Sequence, residues 1–188
     1  VLDQLAANGL KFTQGYSNSP VCSPTRFALM TARYQYRLRG AAEEPINSRS
    51  RGSTTLGLPP AHPTLPSLLK GAGYRTGCVG KWHLGDVAKF HPKQRGFDDY
   101  FGHIGGSHDY FASKDGGKGA TYALEGWDGK PFEFENEYLT DIKGRAACEF
   151  IRKGDAAKPW FLYVAFNAPH GPLQATQATV PVHAVART

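Results

Sequence analysis

The residues best suited to chemistry in this chain are a cysteine, an arginine, a lysine and two histidines. Cys22 stands in the stretch Ser19-Pro20-Val21-Cys22-Ser23-Pro24-Thr25-Arg26, where a loop turns into a helix. Pro24 suits a first helical turn, which has no intrahelical hydrogen bond to lose. The free N–H groups of that turn favour an anion beside Cys22. Arg26 follows about one helical turn later, so its guanidinium reaches the same face and can grip an oxyanion by two parallel hydrogen bonds. This is a nucleophile beside an oxyanion cradle. The bland alternative is a structural cysteine at a helix start.

Two further segments carry charge and protons. Gly80-Lys81-Trp82-His83-Leu84-Gly85 follows a predicted strand. Gly80 permits a sharp exit, and the i, i+2 separation puts the heads of Lys81 and His83 on one side if the segment stays extended. Phe166-Asn167-Ala168-Pro169-His170-Gly171-Pro172 follows an apolar run, so His170 sits on a stiff loop at a strand's carboxyl end. Taken singly, Lys81 and His83 read first as a surface lysine and a core histidine, and His170 reads as well as a simple turn histidine.

Taken together they resemble type I sulfatases. The spacing Cys22-x-Pro24-x-Arg26 resembles the signature at which that family's cysteine is oxidised to formylglycine. Gly73-Tyr74-x-Thr76-x-x-x-Gly80-Lys81-Trp82-His83 is similar to the family's second signature. The segment around His170 resembles the one whose histidine contacts the sulfate or the bridging oxygen. Ser107-His108-Asp109, after Gly96-Phe97-Asp98-Asp99-Tyr100-Phe101-Gly102, looks like the segment whose serine lines the sulfate pocket.

The resemblance covers about residues 1 to 174 and implies an alkaline-phosphatase-like α/β fold with sulfate ester hydrolysis. It implies that a separate formylglycine-generating maturation enzyme oxidises Cys22 to an aldehyde, which hydrates on a divalent cation, usually calcium (Ca2+). One hydroxyl of that diol attacks sulfur, and loss of the other's proton expels sulfate by carbon–oxygen cleavage, an exit that a thiol lacks. Arg26 would stabilise the diol, Lys81 and His170 would neutralise sulfate oxygens and assist the leaving group, and His83 would take the triggering proton. Of the metal ligands, only Cys22 as formylglycine is expected here. The family's early aspartate pair and its later Asp-Asn or Asp-His pair are not in the chain, and Asp98-Asp99 is rejected as a substitute because its segment looks structural. The chain is therefore expected to be the amino-terminal part of a catalytic domain lacking its first strand, inactive alone, with 175–188 as an atypical or truncated tail.

Two other functions remain open at this level. A phosphonate or phosphodiester hydrolase of the same superfamily would use the same cradle. A catalytically dead module binding sulfated glycans would need no modified cysteine.

Elements must place these groups. Leu2, Leu5 and Ala6 have helical spacing with Gly9 as a left-handed cap, and Leu10, Phe12, Gln14 and Tyr16 fit a short strand. Residues 40–63 read as a long surface loop. Thr64 caps a helix whose end is marked by Gly71 and Gly73, and a strand follows over 74–79. Residues 103–137 read as loops with short strands. Leu139, Ile142, Ala146, Phe150 and Ile151 trace one helix face, and Trp160 to Phe166 reads as a strand buried on both faces. This alternation predicts an α/β fold with a mainly parallel sheet flanked by helices, whose sites lie beyond the strands' carboxyl ends.

Composition bounds the remainder. The 188 residues suffice for one domain with a core, and 40% hydrophobic with 20% charged residues describes a globular chain. No run approaches about 18 apolar residues, so no membrane span is expected. Lys and Arg exceed Asp and Glu by 22 − 16 = 6. Their only loose cluster is Arg33, Arg37, Arg39, Arg49 and Arg51, without a nucleic-acid-binding module, so no nucleic-acid partner is expected. Three cysteines make an odd count that indicates no disulfide framework. Val1 opens inside a predicted helix, which puts the native start and any signal peptide outside the sequence. A periplasmic or extracellular location is expected from the resemblance alone, and the oligomeric state is not legible.

Overall fold

The site hangs on a three-stranded parallel sheet. In this computed structural model, which describes residues 1–38, 46–47, 50–112 and 123–177, β1 (Arg75–Lys81) is central, β2 (Asp99–His103) flanks one side and β3 (Trp160–Ala165) the other. Arg39, Arg49, parts of the loops expected at 40–63 and 103–137, and most of the tail at 175–188 lie outside the described residues. The register sets Lys81 opposite His103 and Gly80 opposite Ala165. All three strands thus finish at one edge, as the α/β pattern requires.

Side-chain alternation divides the core between the sheet's two faces. Cys78 and Tyr100 pack with Phe27, Met30, Trp82, Leu84 and Phe97 on one face. Val79 and Phe101 pack with Leu139, Ile142, Ala146 and Ala147 on the other. The helices are α1 (Leu2–Ala7), α2 (Cys22–Thr31), α3 (Leu65–Gly71) and α4 (Leu139–Arg152), so α2 covers the first face and α4 the second. The α3 cap forms as expected: the Thr64 side chain accepts from the Ser67 N–H at 3.2 Å, and the Ser67 hydroxyl accepts from the Thr64 N–H at 2.8 Å. No helix among the described residues is long and apolar enough to cross a membrane.

The amino edge of the sheet is neutralised locally. Asp98 accepts from the Thr76 N–H at 2.9 Å and lies 2.7 Å from Lys70 Nζ, while Asp99 lies 2.9 Å from Arg75. Both carboxylates are thereby engaged away from the strands' carboxyl ends. Nearby, Arg95 donates to the carbonyls of Pro59, Pro60 and His62 at 2.8, 3.0 and 2.6 Å, binding the loop ahead of α3 to the segment ahead of β2.

Four sequence expectations need correction. No strand forms over residues 10–16, where Leu10, Phe12 and Tyr16 are exposed. An alternating run becomes a strand only where a neighbour takes up its backbone hydrogen bonds, and none of the described strands does. Gly9 is not a left-handed cap, because α1 closes at right-handed Asn8, whose N–H donates to the Gln4 carbonyl. β3 is not buried on both faces: Trp160 is exposed, only Ala165 is buried, and among the described residues the strand pairs with β1 alone. On α4, Ile151 is exposed, while Lys143 is buried with Leu139, Ile142, Ala146 and Phe150.

Candidate active site

Cys22 is the first residue of α2, preceded by an extended Val21 that offers no side-chain cap. The N-terminal turn therefore presents its N–H groups beside a half-buried thiol. Ser23 fixes the turn from behind, its hydroxyl accepting from the Ile46 N–H at 2.9 Å.

His83 meets Cys22 from the loop after β1. Its Nδ1 lies 3.2 Å from Cys22 Sγ. The segment is not extended as expected, because His83 adopts a left-handed φ of 58°, a conformation that suits histidine better than branched residues. Two backbone bonds hold this turn to the end of β2, Trp82 N–H to the His103 carbonyl at 3.0 Å and His83 N–H to the Ile104 carbonyl at 2.9 Å. Parallel pairing at the sheet edge thus extends into the loop that presents the histidine.

Lys81, the last residue of β1, is only 2% exposed. Burial lowers its pKa, with the neighbouring Cys22 opposing that shift and the Arg26 charge adding to it. Arg26 does not simply project from its own helix. Its Nη1 donates to the Lys81 carbonyl at 2.7 Å and to the Tyr163 hydroxyl at 3.0 Å, so both β1 and β3 brace the guanidinium.

Burial, then the positive charges of Lys81 and Arg26, push His83 down to about 3, with a hydrogen bond to the Ile46 backbone working the other way and His170 contributing further. The imidazole is neutral at ordinary pH. Its Nδ1 stands within hydrogen-bond reach of the Cys22 side chain, which is the geometry that a general base needs.

His170 is exposed on the loop after β3, between the cis bonds Ala168-Pro169 and Gly171-Pro172. Its N–H donates to the Asn167 carbonyl and its own carbonyl accepts from the Tyr110 hydroxyl, both at 2.9 Å. The loop that carries His170 follows the carboxyl end of β3, which is paired with β1. Ser107 is exposed in the loop after β2. It is tied to the site through its neighbour Gly106, where an added Cβ would come within 2.7 Å of the His83 ring.

Two members of this arrangement escape a motif reading. Tyr163 lies in the run from Trp160 to Phe166, where it reads as core, although a buried tyrosine hydroxyl calls for a partner. Gly106 reads as one more loop glycine, since nothing local marks the ring that it faces. Calcium finds little to bind here: among the described residues no group of three or more His, Cys, Asp or Glu could hold a metal ion, and Cys22 supplies at most one position of a shell of six to eight oxygens.

Comparison with known proteins places these features in context. The model of the Sulfatase family matches residues 1–185. N-acetylgalactosamine-6-sulfatase of Sus scrofa is 36% identical over 191 residues, a match covering 94% of this chain and 36% of that protein. Arylsulfatase J of Mus musculus is 37% identical over 180 residues, covering 93% of this chain and 29% of that protein. The crystal structure of Ps i-CgsB in complex with k-i-k-neocarrahexaose superposes with a TM-score of 0.82 at 37% identity, covering 94% of this chain and 41% of that chain. The chain spans about a third of the length of these curated relatives.

Proposed function

Because the chain belongs to the sulfatase family, we propose that it carries the nucleophile and anion-binding half of a sulfuric ester hydrolase centred on Cys22. The observation that carries this reading is the meeting of Cys22, Arg26, Lys81 and His83 at the carboxyl edge of a parallel sheet. Four residues from two distant sequence blocks converge on one helix N-terminus, and the groups around the sulfur are bases and cations.

Cys22 is the residue that a maturation enzyme would convert to formylglycine, and the hydrated aldehyde would supply the hydroxyl that attacks sulfur. The protein's own groups then have separable tasks. Arg26, braced by Tyr163 and the Lys81 carbonyl, holds its positive charge against the oxygen on residue 22. Lys81, already desolvated, offsets the charge of a sulfate oxygen at little reorganisation cost. His83 removes a proton at Nδ1 to release sulfate, and His170 assists the departing alkoxide from the open side. A calcium ion would add further charge stabilisation, with ligands beyond those described here.

A sulfated sugar is the substrate class we favour. One relative is named for N-acetylgalactosamine 6-sulfate, and the solved neighbour holds a neocarrahexaose. The deciding experiment combines peptide mass spectrometry of the Cys22 segment with assays on the longest natural polypeptide that carries this chain, after co-expression with a formylglycine-generating enzyme. Loss of the thiol mass, with turnover of a saccharide sulfate that vanishes in C22A, supports the reading. Turnover surviving in C22A, or hydrolysis of an aryl phosphodiester in preference to every sulfate ester, overturns it.

A further inference from the structure

Behind the site, on the α4 face of the sheet, lies a group of bases that this chemistry leaves unused. Lys143 is fully buried, with Nζ 3.3 Å from Nδ1 of the fully buried His103. The His103 ring lies 5.2 Å from that of His108. None of the ion pairs among the described residues involves Lys143. His103 is also the residue set opposite Lys81 across β1 and β2, so the amine is one side chain removed from the cradle.

Resting on the reading of Cys22, Arg26 and Lys81 as an anion cradle, we propose that Lys143 is the proton acceptor coupled to anion binding there. At mildly alkaline pH it is mostly a neutral amine while the cradle holds no anion, and it takes up a proton from solvent when an anion such as sulfate binds. The amine becomes an ammonium, and no other bond changes.

Groups on α2, β1 and β2 bear on Lys143. Burial comes first, followed by the charges of Arg26 from α2 and Lys81 from β1, and together they bring its ammonium down to about 7. Cys78 on β1 would oppose them as a thiolate, but its own burial pushes that thiol up to about 12, which leaves it neutral. From β2, His103 is held well below the usual histidine range by burial, then by Lys143, His108, Lys81 and Arg26. His103 therefore stays neutral, and its Nδ1 can accept from the lysine amine in either protonation state. An anion between Arg26 and Lys81 cancels part of the field that keeps the proton off Lys143. By linkage, protonation of Lys143 raises anion affinity at the cradle by the same factor by which a bound anion raises proton affinity at Lys143. A lysine buried merely as packing would fill the same space without this coupling.

Calorimetric titration with inorganic sulfate separates the two cases, using the longest natural polypeptide carrying this chain and buffers of different ionisation enthalpy. At about pH 7.5 the unaltered protein takes up roughly half a proton per sulfate bound, and its sulfate affinity falls several-fold from about pH 7 to pH 9. K143M keeps the apolar stem without the amine, so its uptake drops by that amount and its affinity varies less with pH. K143R keeps a permanent charge, so it loses the uptake yet retains tight binding at about pH 9. Sulfate binding without proton uptake in the unaltered protein, or uptake unchanged in both variants, overturns the inference and leaves the cradle standing. Absence of sulfate binding altogether overturns both.

Discussion

Cys22 Sγ and His83 Nδ1 lie 3.2 Å apart although 61 positions separate them in the chain. The contact joins the start of α2 to the turn after β1, and it sets a neutral imidazole against the residue that would carry the nucleophile. His83→Asn tests it, because asparagine tolerates the left-handed φ of 58° while lacking a basic nitrogen. Turnover of a sulfate ester by the longest natural polypeptide should fall about 10²–10⁴-fold, with the Cys22 peptide still modified and the melting temperature little changed. An unaltered kcat would remove His83 from the chemistry.

Tyr163→Phe removes one brace from Arg26 and keeps the ring in place. A hydrogen bond to a charged group contributes about 1.5–3 kcal/mol, and the Lys81 carbonyl still accepts from the same nitrogen at 2.7 Å. The expected outcome is a roughly tenfold loss in kcat/KM, read by steady-state kinetics. Parallel thermal unfolding should show a smaller effect on stability.

Gly106→Ala should damage activity more than stability. The new methyl would press within 2.7 Å of the His83 ring, so either the loop or the imidazole must yield, and the loop carries Ser107. Comparing kcat with the melting temperature decides the matter. A large drop in melting temperature with normal turnover per folded molecule would show that the loop serves stability alone.

Stability should rise with pH from acid to mildly alkaline conditions. Lys143 is lowered from 10.5 to about 7, burial first and the positive charges of Arg26 and Lys81 after it. Between those limits the unfolded chain binds more protons than the folded one, so the penalty shrinks as pH increases. His103, depressed chiefly by burial, acts in the same sense below its ordinary pKa, where acid favours the unfolded state. Melting temperatures measured from about pH 5 to pH 9 should therefore climb, and K143M should flatten the upper half of that curve. A flat curve in the unaltered protein would show that Lys143 binds its proton equally in the folded and unfolded chain.

What sequence could reveal here depended on how local each signal is. The Thr64 cap, the start of α2 at Cys22 and the amphipathic run of α4 rest on neighbours within a few positions, and each is read directly. Parallel strands follow from the alternation of helix and strand, because a crossover leaves few other solutions. Partner-dependent features were not legible. Residues 10–16 alternate like a strand but find no ladder among the described residues, and β3 reads as doubly buried while lying at a sheet edge. Within the site, motif spacing picked out Cys22, Arg26, Lys81 and His83, whereas Tyr163 and Gly106 matter only through residues 137 and 23 positions away that fold against them. Lys143, buried on α4 beside Ile142, was not singled out by the helix-face pattern at all.

The two rims of the sheet differ electrically. At the amino rim Asp98 and Asp99 close their circuits with Lys70, Thr76 and Arg75. At the carboxyl rim Arg26, Lys81, His83, His103 and Lys143 crowd together. One rim balances its charges within itself, and Arg75 carries that balance on to α4 through the Phe150 carbonyl. At the other, the charges of Arg26 and Lys81 keep protons off the bases around them, and only a partner of opposite sign relieves that pressure.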